Sequence, residues 1–82
     1  MSTITTAEAM AMMAECFMEP LENLTPDLSR ESVGGWDSMG SMMLIAELDE
    51  RFKLELSANE SRAMQRVGDV LNFLTRHGRL AD

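Results

Sequence analysis

The segment that most constrains this chain begins at Gly34-Gly35-Trp36-Asp37 and runs into an unusually apolar helical stretch. Met39, Met42, Met43, Leu44, Ile45, Ala46, Leu48 and Phe52 cover well over half of a helical wheel. One core-facing stripe needs less than that. Such a helix either sits at the centre of a bundle or exposes part of its apolar surface to a partner. Ile45, Leu48 and Phe52 already form a core row, so Met39 and Met43 are expected to face outward. The rest of the chain must be arranged around this helix with little material. Eighty-two residues form one domain, 1–82, whose small core leaves little room for a deep active site.

The remaining elements read as helices. Thr5 and Glu8 form a capping box. Ala7, Met10, Ala11, Ala14, Phe17 and Met18 then recur at helical spacing, so a first helix is expected over about 6–18, stopped by Pro20. Residues 19–37 make a long connection, and loops of this length are often functional. Leu21, Leu24, Leu28 and Val33 are spaced to pin it to the bundle, with Trp36 as a packing anchor. The central helix is expected over about 38–51. Leu54 and Leu56 in the link after it can plug the core. Ser57 and Glu60 form a second capping box, predicting a short helix over about 58–64 that packs Met64. A last helix over about 67–77 buries Val67, Val70, Leu71 and Leu74, widened by Phe73. Asp69 at its start and Arg76 with His77 at its end complement the helix dipole, and Gly78 suits the left-handed stop. The tail 79–82 is expected to fray. The fold class is therefore all-α, a small four-helix bundle with a long first loop and a short third helix.

Composition narrows the function. Seven basic against fourteen acidic residues give a formal charge of −7, which disfavours nucleic acid and anionic membrane and favours basic protein surfaces. No apolar run reaches membrane-spanning length, and residues 1–18 lack the basic start of a signal peptide. A single cysteine, Cys16, excludes an internal disulfide framework and fits a reducing, cytoplasmic setting. Cys16 is read as a packed or half-exposed thiol and His77 as a dipole partner, not as nucleophile and base. Paired Cys/His metal spacing, a calcium loop, a phosphate-binding glycine loop and a basic-aromatic stripe are all missing from the sequence. Asp49 and Glu50 are helix neighbours and do not face each other as a catalytic dyad.

One short stretch does point to chemistry. Asp37 is a good N-cap, accepting the orphan amide hydrogens of the first helical turn. Ser38 then places its hydroxyl at the positive end of the helix dipole, where an attached phosphate is favoured. Gly40, lacking a side chain, is expected to leave the Ser38 region open.

Trp36-Asp37-Ser38-Met39-Gly40 resembles the Asp-Ser-Leu attachment motif of the acyl carrier protein family, with Met in the Leu position. The likeness continues through Leu44, Ile45, Leu48, Asp49-Glu50 and Phe52 to Leu54-Glu55-Leu56 and Val67-Gly68-Asp69, roughly the C-terminal half. It implies that Ser38 carries 4′-phosphopantetheine, beside the capping Asp37, and that the arm holds an acyl thioester for enzymes of fatty-acid, polyketide or related specialised biosynthesis. The implied partners are a phosphopantetheinyl transferase and acyl-loading and acyl-transfer enzymes with basic or apolar docking patches. Nucleic-acid binding and membrane insertion are not expected, nor is any catalytic residue or metal, and the chain is expected to be a monomer. Met39, Met42, Met43, Glu47, Asp49 and Glu50 form the implied partner surface, the acidic members steering basic patches.

The chain departs from the fatty-acid carriers in three places. Met43 stands where an acidic residue is common, Gly40 where many are polar or acidic, and Arg62 and Arg66 in or beside the third helix where those carriers tend to be acidic. A dedicated partner set is the expectation. The alternatives are an aminoacyl or peptidyl carrier and an unmodified helical interaction domain that docks through its methionines.

Overall fold

A computed structural model describes residues 3–81 of the chain. Four α-helices are present: α1 (Thr6–Phe17), α2 (Ser38–Phe52), α3 (Ala58–Ala63) and α4 (Val67–Arg76). Among the described residues the only β features are two isolated bridges, Ile4 with Leu80 and Ser29 with Arg66. The expected all-α architecture is therefore the observed one, with the expected long α1–α2 connection and short third helix. No helix among the described residues is long and apolar enough to cross a membrane.

The capping box at α1 forms as read: the Glu8 amide donates to Thr5 Oγ1 at 3.1 Å and the Thr5 amide to Glu8 Oε1 at 2.9 Å. The buried face is not the expected one. Ala9, Met10, Met12, Met13, Cys16 and Phe17 are buried, whereas Ala7, Ala11 and Met18 are exposed. Alanine and methionine occupy so many positions of this segment that apolarity alone does not fix a face. The exposed row Glu8, Ala11 and Glu15, at three- and four-residue spacing, does. α1 stops one residue early because Met18 turns left-handed (φ 52°), its amide donating to Ala14 and Glu15 carbonyls. Without a glycine there, that conformation costs about 1–2 kcal/mol, and Pro20 beyond it blocks continuation.

α2 ends the same way, with Lys53 at φ 55° and its amide donating to Asp49 O at 2.9 Å. This turn delivers Leu54 and Leu56 into the core, as expected. The core row along α2 is Leu44, Leu48 and Phe52. Ile45, placed in that row from the sequence, is only partly buried because its neighbour Leu44 takes the central position. The excess apolar surface faces solvent: Met39, Met42 and Met43 are all exposed.

The long connection is pinned by Leu24, Val33 and Trp36, with Leu28 partly buried; Leu21 is 49% exposed and does not act as a pin. Its backbone is stitched to the α3–α4 link. Arg30 N donates to Gln65 O at 2.8 Å, Val67 N to Leu28 O at 3.1 Å and Gly68 N to Pro26 O at 2.8 Å. At Asp69 the carboxylate accepts from the amides of Gln65 and Arg66, so α4 is capped from within. Gly78 takes the predicted left-handed conformation, φ 69°. The tail does not fray as expected. Ile4 N donates to Arg79 O at 2.9 Å and Ala81 N to Ile4 O at 2.7 Å, while Leu80 packs against the core. The short apolar Ile4 and Leu80 give the two ends something to bury. Asp82, the last residue of that expected tail, lies outside the described residues.

Candidate functional site at the start of α2

Two glycines and two aromatic rings set the position of the α2 N-terminus. A Cβ at Gly35 would fall inside the backbone carbonyl of Phe17, and one at Gly40 inside the carbonyl oxygen of Gly35. The end of α1, the loop and the first turn of α2 thus stack at backbone-to-backbone distance, possible only with glycine in both places. Gly40 is buried at this contact. It does not open the Ser38 region, as expected from the sequence; it lets α2 seat tightly on the loop. Trp36 stacks on Phe17, with ring centroids 4.8 Å apart and planes 14° apart. The anchor role read for Trp36 fits this geometry. Asp37, in extended conformation, accepts from the Gly40 amide at 3.0 Å and caps the helix as predicted. Ser38 follows as the first helical residue, exposed to solvent.

Arg30 is the positioning residue that the sequence reading missed. Its Nη1 donates to the carbonyls of Ser61 at 2.8 Å and Met64 at 3.1 Å, and its Nη2 to Ser41 Oγ at 2.9 Å. The same guanidinium lies 5.2 Å from the centre of the Trp36 ring. One side chain from the loop therefore fastens α2 to α3 and covers the tryptophan. Hydrogen bonds from a charged donor are stronger than neutral ones, and the carbonyls near a short helix's end need partners. No local pattern marks this arginine in the sequence, because its partners lie 11 to 34 residues away.

Two grooves flank Ser38, and they differ in character. On the α1 side, a groove of about 360 Å³ is lined by Cys16, Met18, Gly40, Met39 and Met43, with Glu15 and Asp37 as its charged members. On the α3 side, a groove of about 560 Å³ brings Ser38 together with Arg30, Trp36, Ser41, Ser61 and Arg62. One is apolar with an acidic rim; the other combines apolar Trp36, Met42 and Ile45 with the charges of Arg30, Arg62 and Asp37. A larger groove, about 670 Å³, lies between α3 and α4 and contains none of the predicted site residues.

Of those residues, Ser38, Asp37, Met39, Met42 and Met43 cluster in the first turns of α2. Met39, Met42 and Met43 are 73%, 69% and 51% exposed, amounts far beyond what core residues show. Glu47 lies further along and pairs with Arg51 at 2.6 Å, so part of its charge is neutralised within the helix. Asp49 and Glu50 are exposed near the C-terminal end of α2. At 1.5 Å per residue they stand roughly 17 Å along the axis from Ser38, with Asp49 two turns on from Met42. Asp49 borders a fourth groove, with Met42, Leu54 and Glu55.

Cys16 is buried near the end of α1. Burial pushes the Cys16 thiol up to about 11, with the nearby carboxylate of Glu47 adding to the effect. A thiol in that state is a packing group, not a nucleophile. His77 follows α4 and rests against Phe73, with ring centroids 4.5 Å apart. Among the described residues no cluster of His, Cys, Asp and Glu could hold a metal ion. No family model matches the chain.

Proposed function

We propose that the chain is an acyl carrier: Ser38 accepts 4′-phosphopantetheine from a phosphopantetheinyl transferase, and the arm's thiol then holds an acyl group as a thioester for partner enzymes. The observation that carries the reading is an exposed hydroxyl at the first residue of α2, directly after an Asp cap and between two grooves. A phosphodiester formed there sits in the favourable field of a 15-residue helix. In that transfer Ser38 Oγ attacks the pantetheine-side phosphorus of coenzyme A. A phosphoester bond forms, the pyrophosphate bond breaks, and adenosine 3′,5′-bisphosphate leaves. No imidazole lines either groove beside Ser38, and the Asp37 carboxylate is engaged in capping α2, so the removal of the serine proton is assigned to the transferase. The carrier's own contribution is positional, and the chemistry belongs to its partners.

Partner recognition is assigned to two patches. Met39, Met42 and Met43 offer an apolar face around the attachment point, and Asp49 and Glu50 offer charge at the far end of the same helix. In a cytoplasmic carrier with seven excess negative charges, such a surface suits partners with basic and apolar docking patches. The exposed methionines also support a second reading, an unmodified helical domain that docks through α2.

Intact mass separates the two. Incubated with coenzyme A, Mg²⁺ and a broad-specificity transferase, the protein is expected to gain one phosphopantetheine, and Ser38→Ala none. A gain that persists in Ser38→Ala, or no gain with several transferases, refutes the carrier reading.

A further inference from the structure

The described methionines divide into two sets with nothing between them. Met10, Met12, Met13 and Met64 are core residues, at most 8% exposed, whereas Met18, Met39, Met42 and Met43 are 51% to 91% exposed. Among the described residues, Leu21 is the only other exposed large apolar side chain. The exposed set is gathered around the start of α2. Met18, Met39 and Met43 line the groove on its α1 side, and Met42 borders the groove that holds Ser38. Met18 is brought there by the close stack of Phe17, Gly35 and Gly40. Leucine would serve equally well for an apolar surface. What methionine adds is a polarizable thioether that a peroxide oxidises.

We infer that Met39 and Met43, together with Met18 and Met42, are modification sites: hydrogen peroxide converts them to sulfoxides and switches off docking at the start of α2, and reduction restores it. The switch rests on the carrier reading, whose partner surface it regulates. The thioether sulfur attacks one peroxide oxygen. An S–O bond forms, the O–O bond breaks, and the departing hydroxide takes the proton of the transferred oxygen and leaves as water. The sulfur is oxidised by two electrons and the peroxide is reduced. The product is a polar, chiral side chain, which an apolar partner patch would have to desolvate without pairing its new acceptor oxygen. A methionine sulfoxide reductase reverses the change, using a dithiol that is oxidised to its disulfide while the oxygen leaves as water. The division of exposure confines the reaction to the surface. The core methionines and Cys16, itself 5% exposed, are screened from peroxide, so the bundle stays folded while its docking face changes.

The test treats the protein with graded hydrogen peroxide, removes the excess with catalase, and adds untreated transferase and coenzyme A. Peptide mass mapping is expected to find sulfoxide at Met18, Met39, Met42 and Met43 well before Met10, Met12, Met13 or Met64. Circular dichroism and Trp36 emission should stay unchanged over that range. In phosphopantetheine transfer the oxidised protein is expected to show a KM raised by roughly tenfold, the affinity that burying one such side chain supplies, with kcat held. Sulfoxide reductase and dithiothreitol should return the KM to its starting value. The combined variant Met18→Leu, Met39→Leu, Met42→Leu and Met43→Leu should transfer at one rate before and after peroxide, whatever that rate is. Met43→Gln, polar without oxidation, should raise KM more than Met43→Leu does. An unchanged KM once Met39 and Met43 are both sulfoxides overturns the switch. So does equal slowing of the parent and the four-leucine variant, or oxidation of the core methionines in step with the exposed ones. No loading of the untreated protein by several transferases overturns the carrier reading, and the switch with it.

Discussion

Gly40→Ala sets helix propensity against packing. Inside an exposed helix, replacing glycine by alanine stabilises by about 1 kcal/mol, because alanine has less backbone entropy to lose. Gly40 is buried, and the new Cβ would lie 3.0 Å from Gly35 C, 3.2 Å from Phe17 Cδ1, and within the Gly35 carbonyl oxygen itself. The nearest of these is backbone, which cannot rotate aside. To recover ordinary contact the loop and the first turn of α2 must separate by roughly 1 Å or more. Overpacking of this kind costs about 1–3 kcal/mol. The loop that moves also carries Trp36, whose stack on Phe17 is worth about 0.5–1.5 kcal/mol more. Setting the 1 kcal/mol propensity gain against these terms leaves a net loss of about 1–3 kcal/mol. For a chain of this size that lowers Tm by roughly 4–20 °C. Urea melts followed by Trp36 fluorescence and by far-ultraviolet circular dichroism measure it. Ala46→Gly, on the exposed side of the same helix, serves as the control and is expected to lose about 1 kcal/mol from propensity alone. If Gly40→Ala gains stability with Trp36 emission unchanged, the backbone stack of Phe17, Gly35 and Gly40 is not what seats α2.

Three further outcomes are expected. Leu48→Ala, at a fully buried position, should cost about 2–5 kcal/mol, while Met39→Ala and Met43→Ala should each change stability by only about 0.5 kcal/mol; equal losses in denaturant melts would mean that α2 is buried all round. Since the Cys16 thiol is raised from 9.0 to about 11 in the fold, stability should be fully present below pH 9 and fall through pH 11, by up to about 3 kcal/mol, because the unfolded chain loses the thiol proton first. Cys16→Ala should flatten that part of the pH profile, and an unchanged profile would refute the burial argument. If Asp49 and Glu50 steer basic partners, reversing both to Lys should slow phosphopantetheine transfer at low salt and much less at about 0.15 M, where the screening length is about 8 Å; a salt-independent defect would point to damaged packing.

What the sequence revealed follows from how local each cause is. The capping residues Thr5, Asp37 and Ser57 act within three positions, so three helix starts were readable. The stops at Met18 and Lys53 were less so, because the left-handed turn falls on residues with no preference for it. Met39 and Met43 were legible as outward-facing, since α2 holds more apolar residues than one face can bury. The face of α1 was not, as seven of its twelve positions are Ala or Met. Gly40 looked like open space because a missing side chain says nothing about what approaches it. Arg30 was invisible for a related reason: its value lies wholly in acceptors distant along the chain. The exposed place of Ser38 just after its cap was legible because cap and helix are contiguous with it, whereas the groove beside it is assembled from three separate segments.

The pairing of Ile4 with Arg79 and Ala81 brings the two described ends of the chain to one place. The backbone thus enters and leaves the domain through a single doorway, which makes it topologically close to a ring. A short glycine-serine bridge joining residues 3 and 81 would close that ring without stretching, and new ends could then be opened in an exposed loop. For the same reason the unit could be spliced whole into a surface turn of a host protein, which would need to part its own chain by roughly 8 Å, one strand spacing across and two residues along the parallel bridge of Ile4 with Leu80. The host would then hold α1 and α4 by their outer ends, while α2, whose contacts depend on neither end, would keep its first turn and Ser38 free.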